Sequence, residues 1–377
     1  MISEEDVIPI LKDLIKIKTE NPPGNTLKAA NYIKNLLESN GIETIIQNYA
    51  EERANVIAYY GKGSNTVILT GHLDTVPSGD ESKWKFPPFD AEERGGKIYG
   101  RGATDMKGAD AAFLAVLIAL KRNNIRLSKK VIFLGTSDEE IGMDGSLAAK
   151  EDGIMEGCEF VLIGEPTELQ LGVVEKGTFW VKVKVYGKSA HGSTPHLGIS
   201  AIEGAAELIP RMKEIIPDFI HDLMGKSTLN IGKISGGTLI NVVPEYCEFR
   251  CDYRLVADTL REEIKLKLQK LLDEFNNKGS SRAEFEIIHE VPAIELKRED
   301  NIVRSLKQKA INFGKDKIIA LNYGTDGAML VPDYDVPFVI MGPGKLDQLH
   351  VTDEYTEKQE VIDYANIVYE ALIETYS

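Results

Sequence analysis

The chain has 377 residues, 43% of them hydrophobic and 27% charged, a composition that supports a full globular core. That length exceeds one ordinary domain, so two are expected. A formal net charge of −15 excludes the basic face that nucleic-acid binding needs, and it suits the recruitment of cations.

The opening stretch, Met1-Ile2-Ser3-Glu4-Glu5-Asp6, has neither a basic region nor an apolar signal core, which predicts a cytoplasmic protein. No apolar run approaches membrane-spanning length. Val7, Ile10, Leu11, Leu14 and Ile15 recur at helical spacing behind a Ser3 cap with Asp6 three residues on. A helix over 27–39 stops before Asn40-Gly41. Strands are expected at 43–48, 54–60 and 66–70, a long apolar helix at 108–122, and a strand at 130–135. A helix beginning at the acidic run Asp138-Glu139-Glu140 and a strand at 159–163 complete an alternation that predicts an α/β sheet with helices on both faces.

The pattern changes after Lys176-Gly177. Residues 178–186 alternate apolar and polar, like a strand with one wet face. A helix at 199–216, strands at 227–235 and 244–255, a salt-laced helix at 258–277 and a strand at 283–290 read as βαββαβ, an antiparallel sheet with helices on one face. Gly279-Ser280-Ser281 is expected as a turn. From Pro292 the first style returns, with helices at 300–313 and 357–375 and short strands at 318–321 and 337–341. The expected architecture is one α/β domain, residues 1–176 plus 292–377, interrupted by a smaller α+β domain, residues 177–291.

Carboxylates and histidines collect at the expected strand ends. Strand 130–135 runs into Ser137-Asp138-Glu139-Glu140, where adjacent carboxylates repel unless a cation offsets them. The same run also fits the acidic first turn of a helix. In His72-Leu73-Asp74, His72 could bind a metal through one ring nitrogen while Asp74 takes the other N–H. Asp105, just before the long helix, fits either an N-terminal cap or a carboxylate shared by two metals. Glu165 ends strand 159–163, and His350 follows Gly342-Pro343-Gly344. The glycine loop before Asp105 is not a phosphate loop, because no Gly-Lys-Ser/Thr follows it. Nitrogen and oxygen donors of this kind suit zinc, with cobalt or manganese as substitutes. Cys158, Cys247 and Cys251 are too few and scattered for a disulfide scaffold and read as buried small residues. His196, His221 and His289 fit no ligand position, and the Trp84–Phe89 stretch reads as loop packing.

His72-Leu73-Asp74-Thr75-Val76-Pro77, Gly100-Arg101-Gly102-Ala103-Thr104-Asp105-Met106-Lys107-Gly108, Ser137-Asp138-Glu139-Glu140 and Gly164-Glu165-Pro166 resemble, in order, the motifs of the co-catalytic zinc amidohydrolases. That family includes acetylornithine deacetylase, succinyl-diaminopimelate desuccinylase, aminoacylase and glutamate carboxypeptidase. The resemblance runs from about residue 5 to the C-terminus and implies a catalytic α/β domain with an inserted dimerisation lid, hence a homodimer. It implies two Zn²⁺ sites: His72 and Glu165 on one ion, Glu140 and His350 on the other, and Asp105 bridging them. Asp74 would orient His72, and Glu139 would be the general base. Gly187-Lys188-Ser189-Ala190-His191 resembles the family's lid histidine segment, so His191 would reach the other subunit's site and stabilise an oxyanion. Asn241, Arg254 and Thr325 match substrate-binding positions. The implied activity is hydrolysis of N-acyl amino acids such as N-acetylornithine or N-succinyl-diaminopimelate. A dipeptidase or carboxypeptidase acting on short peptides, and a non-catalytic metal or amino-acid binding protein, remain the alternatives.

Overall fold

The computed structural model describes residues 1–279 and 281–377, so the turn expected at 279–281 includes one position, Ser280, outside the described residues. The chain divides into two compact units. One comprises Met1–Val173, Glu295–Ile319 and Thr325–Ser377, and the other comprises Val174–Ile294 and Ala320–Gly324.

The large unit is built on a nine-stranded mixed sheet. From one edge its order is Glu43–Ala50, Arg53–Tyr60, Lys130–Thr136, Thr66–His72, Cys158–Ile163 and Phe338–Ile340. Then follow Leu171–Glu175 and Ile294–Glu295, the strands in which the chain passes between the two units, and the ninth strand, Ile318–Leu321, pairs with Leu171–Glu175 off this path. The four strands from Lys130–Thr136 to Phe338–Ile340 pair in parallel, and the strands toward Glu43 pair antiparallel. Parallel strands buried on both faces are mostly apolar, and all seven residues of Thr66–His72 are buried. Val67, Leu69, Val131, Phe133, Phe160 and Leu162 join the helices Glu4–Lys16, Leu27–Ser39, Lys107–Arg122, Asn301–Asn312 and Lys358–Tyr376 in one core.

The helix Lys107–Arg122 is buried along most of its length, including Lys107 and Asp110. Lys107 satisfies its ammonium on the carbonyls of Leu14 (3.0 Å) and Ile17 (2.9 Å) at the end of the first helix. Burial pulls its pKa down to about 8. The N-terminal helix has the expected Ser3–Asp6 capping box. Pieces the sequence pattern does not announce include a three-stranded sheet of Glu92–Arg94, Lys97–Tyr99 and Tyr355–Glu357, the strand Leu171–Glu175, and the hairpin Ile220–His221 with Gly225–Lys226.

The small unit is a four-stranded antiparallel sheet in the order Thr228–Gly236, Tyr246–Leu255, Gly177–Tyr186, Arg282–Val291. Phe179, Val181, Val183, Val185, Phe249 and Tyr253 pack with the helices Ala201–Arg211 and Thr259–Asn277. Cys247 and Cys251 are buried free thiols in this core. Trp84 packs its loop as expected, with Nε1 donating to the Ser78 carbonyl at 2.9 Å.

One expectation needs correction. No helix starts at the acidic run; the helix there is Asp144–Glu151. Residues 138–142 form a turn in which the Asp138 carbonyl accepts from Gly142 and Met143 N–H, and Asp138 itself has φ +72°. The helix start instead presses on the strand end. Gly145 N–H donates to the Ser137 carbonyl, and Asn55 bonds both Gly145 O and Ser137 N. A Cβ on Gly145 would meet Ser137 O at 2.2 Å and Asn55 Oδ1 at 2.6 Å. Gly145→Ala is therefore expected to destabilise the large unit by about 1–3 kcal/mol through overpacking. Urea unfolding checks this, and an unchanged midpoint would show that the contact relaxes freely.

Candidate metal centre

His72, Asp74, Asp105, Glu139, Glu140, Glu165 and His350 come together beyond the carboxyl ends of the parallel strands, where open α/β sheets bind ligands. His72 ends the strand Thr66–His72, and its partner across the ladder, Thr136, leads into Glu139 and Glu140. Glu165 lies two residues past Cys158–Ile163. Asp105 lies two residues before the helix Lys107–Arg122, whose N-cap position is Met106. Asp105 therefore does not cap that helix. His350 comes from the loop before Tyr355–Glu357 with φ +59°.

Asp105 is the centre of the arrangement. Its Oδ1 lies 3.0 Å from His72 Nε2 and its Oδ2 lies 3.1 Å from His350 Nε2. One carboxylate thus presents one oxygen to each imidazole. Glu140 Oε2 stands 3.0 Å from His350 Nε2, and Glu165 Oε1 stands 3.7 Å from His72 Nε2. Donor atoms of His72, Asp105 and Glu140, and separately of His72, Glu139 and Glu165, lie within 4.8 Å of one another. Glu139 Oε2 is 4.0 Å from His72 Nε2, so distance alone does not separate Glu139 from the ligand set. His72, Asp105 and Glu165 are nearly inaccessible, whereas the His350 side chain is 52% exposed and forms the open side.

The charges fit a cation. Burial pushes Glu139 and Glu165 well above the usual carboxylate range and raises Glu140, and the neighbouring carboxylates push the same way. Hydrogen bonds to Asp105 and Glu140 raise His350 to about 10. Burial alone would depress His72, but the hydrogen bond to Asp105 and the charges of Glu139, Asp105 and Glu165 override it and hold His72 well above its usual value. Two imidazoles are drawn toward the cationic form by an excess of carboxylate. Divalent ions satisfy the same demand, and the donors are the nitrogen and oxygen types that zinc, cobalt and manganese accept.

Asp74 orients His72 differently from expectation. The ring nitrogen Nδ1 faces the main-chain carbonyl of Asp74 at 2.9 Å, while the Asp74 carboxylate is 3.8 Å away. That carbonyl accepts an Nδ1–H and leaves Nε2 bare toward the site. The carboxylate itself takes the N–H groups of Glu139 (3.2 Å) and Glu140 (3.3 Å), and Asn21 Nδ2 at 2.9 Å. Asn21 Nδ2 also reaches Asp138 Oδ1 (2.8 Å), which accepts from Arg53 Nη1 (2.8 Å). Asp138, without a role in the sequence reading, is the anchor of the turn that presents the two glutamates. Sequence reasoning missed Asn21, Arg53 and Glu354, because each meets its partner across a long stretch of chain and none belongs to a ligand pattern. Glu354, fully buried, accepts the Asp105 N–H at 3.1 Å.

Thr325 is buried, and its hydroxyl accepts from Gly327 N–H at 3.1 Å. Its neighbour Asp326 bonds Thr136 Oγ1, and burial lifts it to about 6.

The remaining expected residues belong to the small unit. His191 is exposed; its Nδ1 accepts from Ser193 N–H at 3.1 Å and lies 2.7 Å from Ser193 Oγ. In the neutral ring this leaves the proton on Nε2, free to donate. Asn241 is adjacent, its carbonyl accepting from Gly192 N–H at 2.7 Å. Arg254 faces Asp252 through Nε (2.9 Å) and Nη2 (3.2 Å) and donates from Nη1 to Thr178 (2.9 Å). Each terminal nitrogen keeps a further N–H. His289 packs on Trp180 with ring centroids 5.0 Å apart.

The description "Peptidase family M20/M25/M40" matches residues 68–374. A probable succinyl-diaminopimelate desuccinylase of Staphylococcus aureus (strain N315) is 30% identical, covering 99% of this chain and 98% of its own. An acetylornithine deacetylase of Pasteurella multocida (strain Pm70) is 31% identical, covering 86% of this chain and 84% of its own. In structure, a tripeptidase from Staphylococcus aureus superposes with a TM-score of 0.82 over 99% of both chains at 24% identity, which establishes the shared two-part fold. No helix among the described residues is long and apolar enough to cross a membrane. The chain belongs to peptidase family M20/M25/M40 and is a metallohydrolase acting on amide bonds.

Proposed function

We propose that this metallohydrolase cleaves the amide of N-acyl amino acids, with N-succinyl-diaminopimelate or N-acetylornithine as the model substrates. The observation that carries the reading is Asp105, whose two oxygens address two imidazoles, with Glu139 at the longer distance of 4.0 Å from His72. The proposed ligands are His72 and Glu165 for one ion, Glu140 and His350 for the other, and Asp105 for both. Bound there, Zn²⁺, Co²⁺ or Mn²⁺ supplies Lewis acidity, polarising the scissile carbonyl and acidifying a water. Glu139 takes a proton from the attacking water and hands one to the leaving amine. Its burial raises its pKa toward the range in which a carboxylate serves as both base and acid. The Asp74 carboxylate holds the Glu139 and Glu140 N–H groups, so base and ligand keep their separate directions.

The small unit supports the recognition half of the reading. Two spare N–H groups on the guanidinium of Arg254 suit the carboxylate of an amino acid. His191, with its proton on Nε2, and Asn241 beside it suit a developing oxyanion. A tripeptidase relative in fold alone carries no argument about substrate, whereas relatives at 30–31% identity carry names of deacylases.

A second copy of the chain suits the small unit. The strand Thr228–Gly236 is an edge with one side unpaired. Ile234 (54% exposed), Leu239 (67%) and Ile240 (106%) stand out beside it. Unpaired edges flanked by exposed apolar side chains are joining surfaces. We therefore read the protein as a homodimer through this unit.

Glu139→Gln is expected to keep its metal while turnover drops by about 10²–10⁴-fold. Elemental analysis alongside initial rates checks this, and full activity would remove Glu139 from the chemistry. Chelation should abolish hydrolysis, and Zn²⁺, Co²⁺ or Mn²⁺ should restore it. Across a panel of N-succinyl and N-acetyl amino acids and dipeptides, the acylated amino acids should turn over fastest; cleavage of dipeptides without deacylation would replace this substrate assignment. Ile240→Asp should shift sedimentation from dimer to monomer, and an unshifted dimer would move the interface elsewhere.

A further inference from the structure

Glu354 is a buried carboxylate close to the metal centre that takes no part in the chemistry above. It lies four residues after His350, at the entry to the strand Tyr355–Glu357, and is fully inaccessible. Its Oε1 accepts from the N–H of Thr104 (2.8 Å) and of Asp105 (3.1 Å). Its Oε2 accepts from Arg101 Nη1 (2.7 Å) and Gly102 N–H (3.1 Å). A carboxylate offers about four lone-pair sites, and all are occupied by these donors. Glu354 therefore has no capacity left to ligate an ion.

The loop around it is shaped for this anion. Gly102 has φ +85°, and a Cβ there would meet Thr75 Cγ2 at 2.7 Å, so the backbone adopts a turn closed to other residues. Successive N–H groups aimed at one point form an anion nest. The main chain ties the same two segments, with Gly100 N–H on the Glu354 carbonyl at 2.9 Å and Thr104 Oγ1 on the Tyr355 carbonyl at 2.6 Å. The charge has a cost. A carboxylate held fully inaccessible beside Asp105 costs free energy unless it is paired and hydrogen-bonded. Closing a loop does not require a buried anion beside four other carboxylates. Fixing the N–H of Asp105 itself, and hence the direction of its side chain, does call for a strong, charge-assisted acceptor.

We propose that Glu354 is the positioning residue of the bridging carboxylate: it fixes Asp105 between the two ions and ties that bridge to the chain segment that brings in His350. The inference rests on the reading of Asp105 as a bridge between two metals. Outer partners of metal ligands typically contribute about 10–100-fold to metal affinity or activity.

The test is calorimetric titration of the metal-free full-length protein with Zn²⁺, for the wild type and Glu354→Gln. In the variant an amide N–H₂ replaces an acceptor and faces a backbone N–H, donor against donor. The wild type should bind two ions per chain, and the variant should lose about 10–100-fold in affinity for at least one of them. At saturating Zn²⁺ the variant's kcat should also fall while KM changes little. A merely structural role predicts a lower unfolding temperature with both Zn²⁺ affinities and saturated kcat unchanged, and that result would overturn the proposal. Should Glu354→Gln fail to fold, Arg101→Met removes one of the four donors. A folded Arg101→Met protein with weakened Zn²⁺ binding supports the proposal, and one with wild-type affinity overturns it. A wild-type protein that binds no Zn²⁺ would instead sink the reading of the site itself.

Discussion

Mutual repulsion among the carboxylates of Asp105, Glu139, Glu140 and Glu165 is the constraint on which the large unit depends. They share a cleft with little solvent to screen them, and burial alone pushes three of them toward the protonated form. Asp105 departs from the others. Burial pushes it up as well, but the hydrogen bonds to His350 and His72 outweigh this and keep it ionised. A single ionised carboxylate between two imidazoles is the arrangement in which positive charge on both sides is most effective.

Holding these groups against their repulsion falls to side chains that never reach the cleft. On one side Asp74, Asn21, Asp138 and Arg53 form a chain of alternating acceptors and donors that ends on the N–H groups of Glu139 and Glu140. Those two glutamates are neighbours in sequence, and the turn sets the directions of their side chains. A helix starting at this run would have tied the two side chains to helical geometry. The left-handed backbone at Asp138 permits the turn instead. On the other side Glu354 and Arg101 clamp the loop before Asp105. Beneath both clamps lie the buried, closely packed strands of the sheet.

The strong periodic signals were readable from the sequence alone. The helix Leu27–Ser39 and the strands around Thr66–His72, Lys130–Thr136 and Cys158–Ile163 stand where apolar runs and stop signals put them. So do the switch in pattern after Lys176-Gly177 and the βαββαβ order that follows. His72, Asp105, Glu139, Glu140, Glu165 and His350 were each ambiguous alone, because caps, acidic helix turns and surface histidines use the same residues. Their order along the chain follows the motif order of the family they resemble, and the structure brings all six together. What stayed hidden was non-local or short. Strands of three residues such as Lys97–Tyr99 carry too little alternation to register. The Asp74 main-chain carbonyl takes the role expected of its carboxylate, a distinction set by local backbone direction rather than residue type. Asn21 and Glu354 act through partners 53 to 253 residues away, and no spacing rule reaches that far.

The central claim, two ions bridged by Asp105 with Glu139 left free as the base, is most directly tested by anomalous diffraction at the zinc edge from crystals grown with Zn²⁺. The account predicts two peaks, one on each side of Asp105, the first bonded to His72 and Glu165 and the second to Glu140 and His350, with Glu139 bonded to neither. A single peak, or a peak coordinated by Glu139, would contradict it.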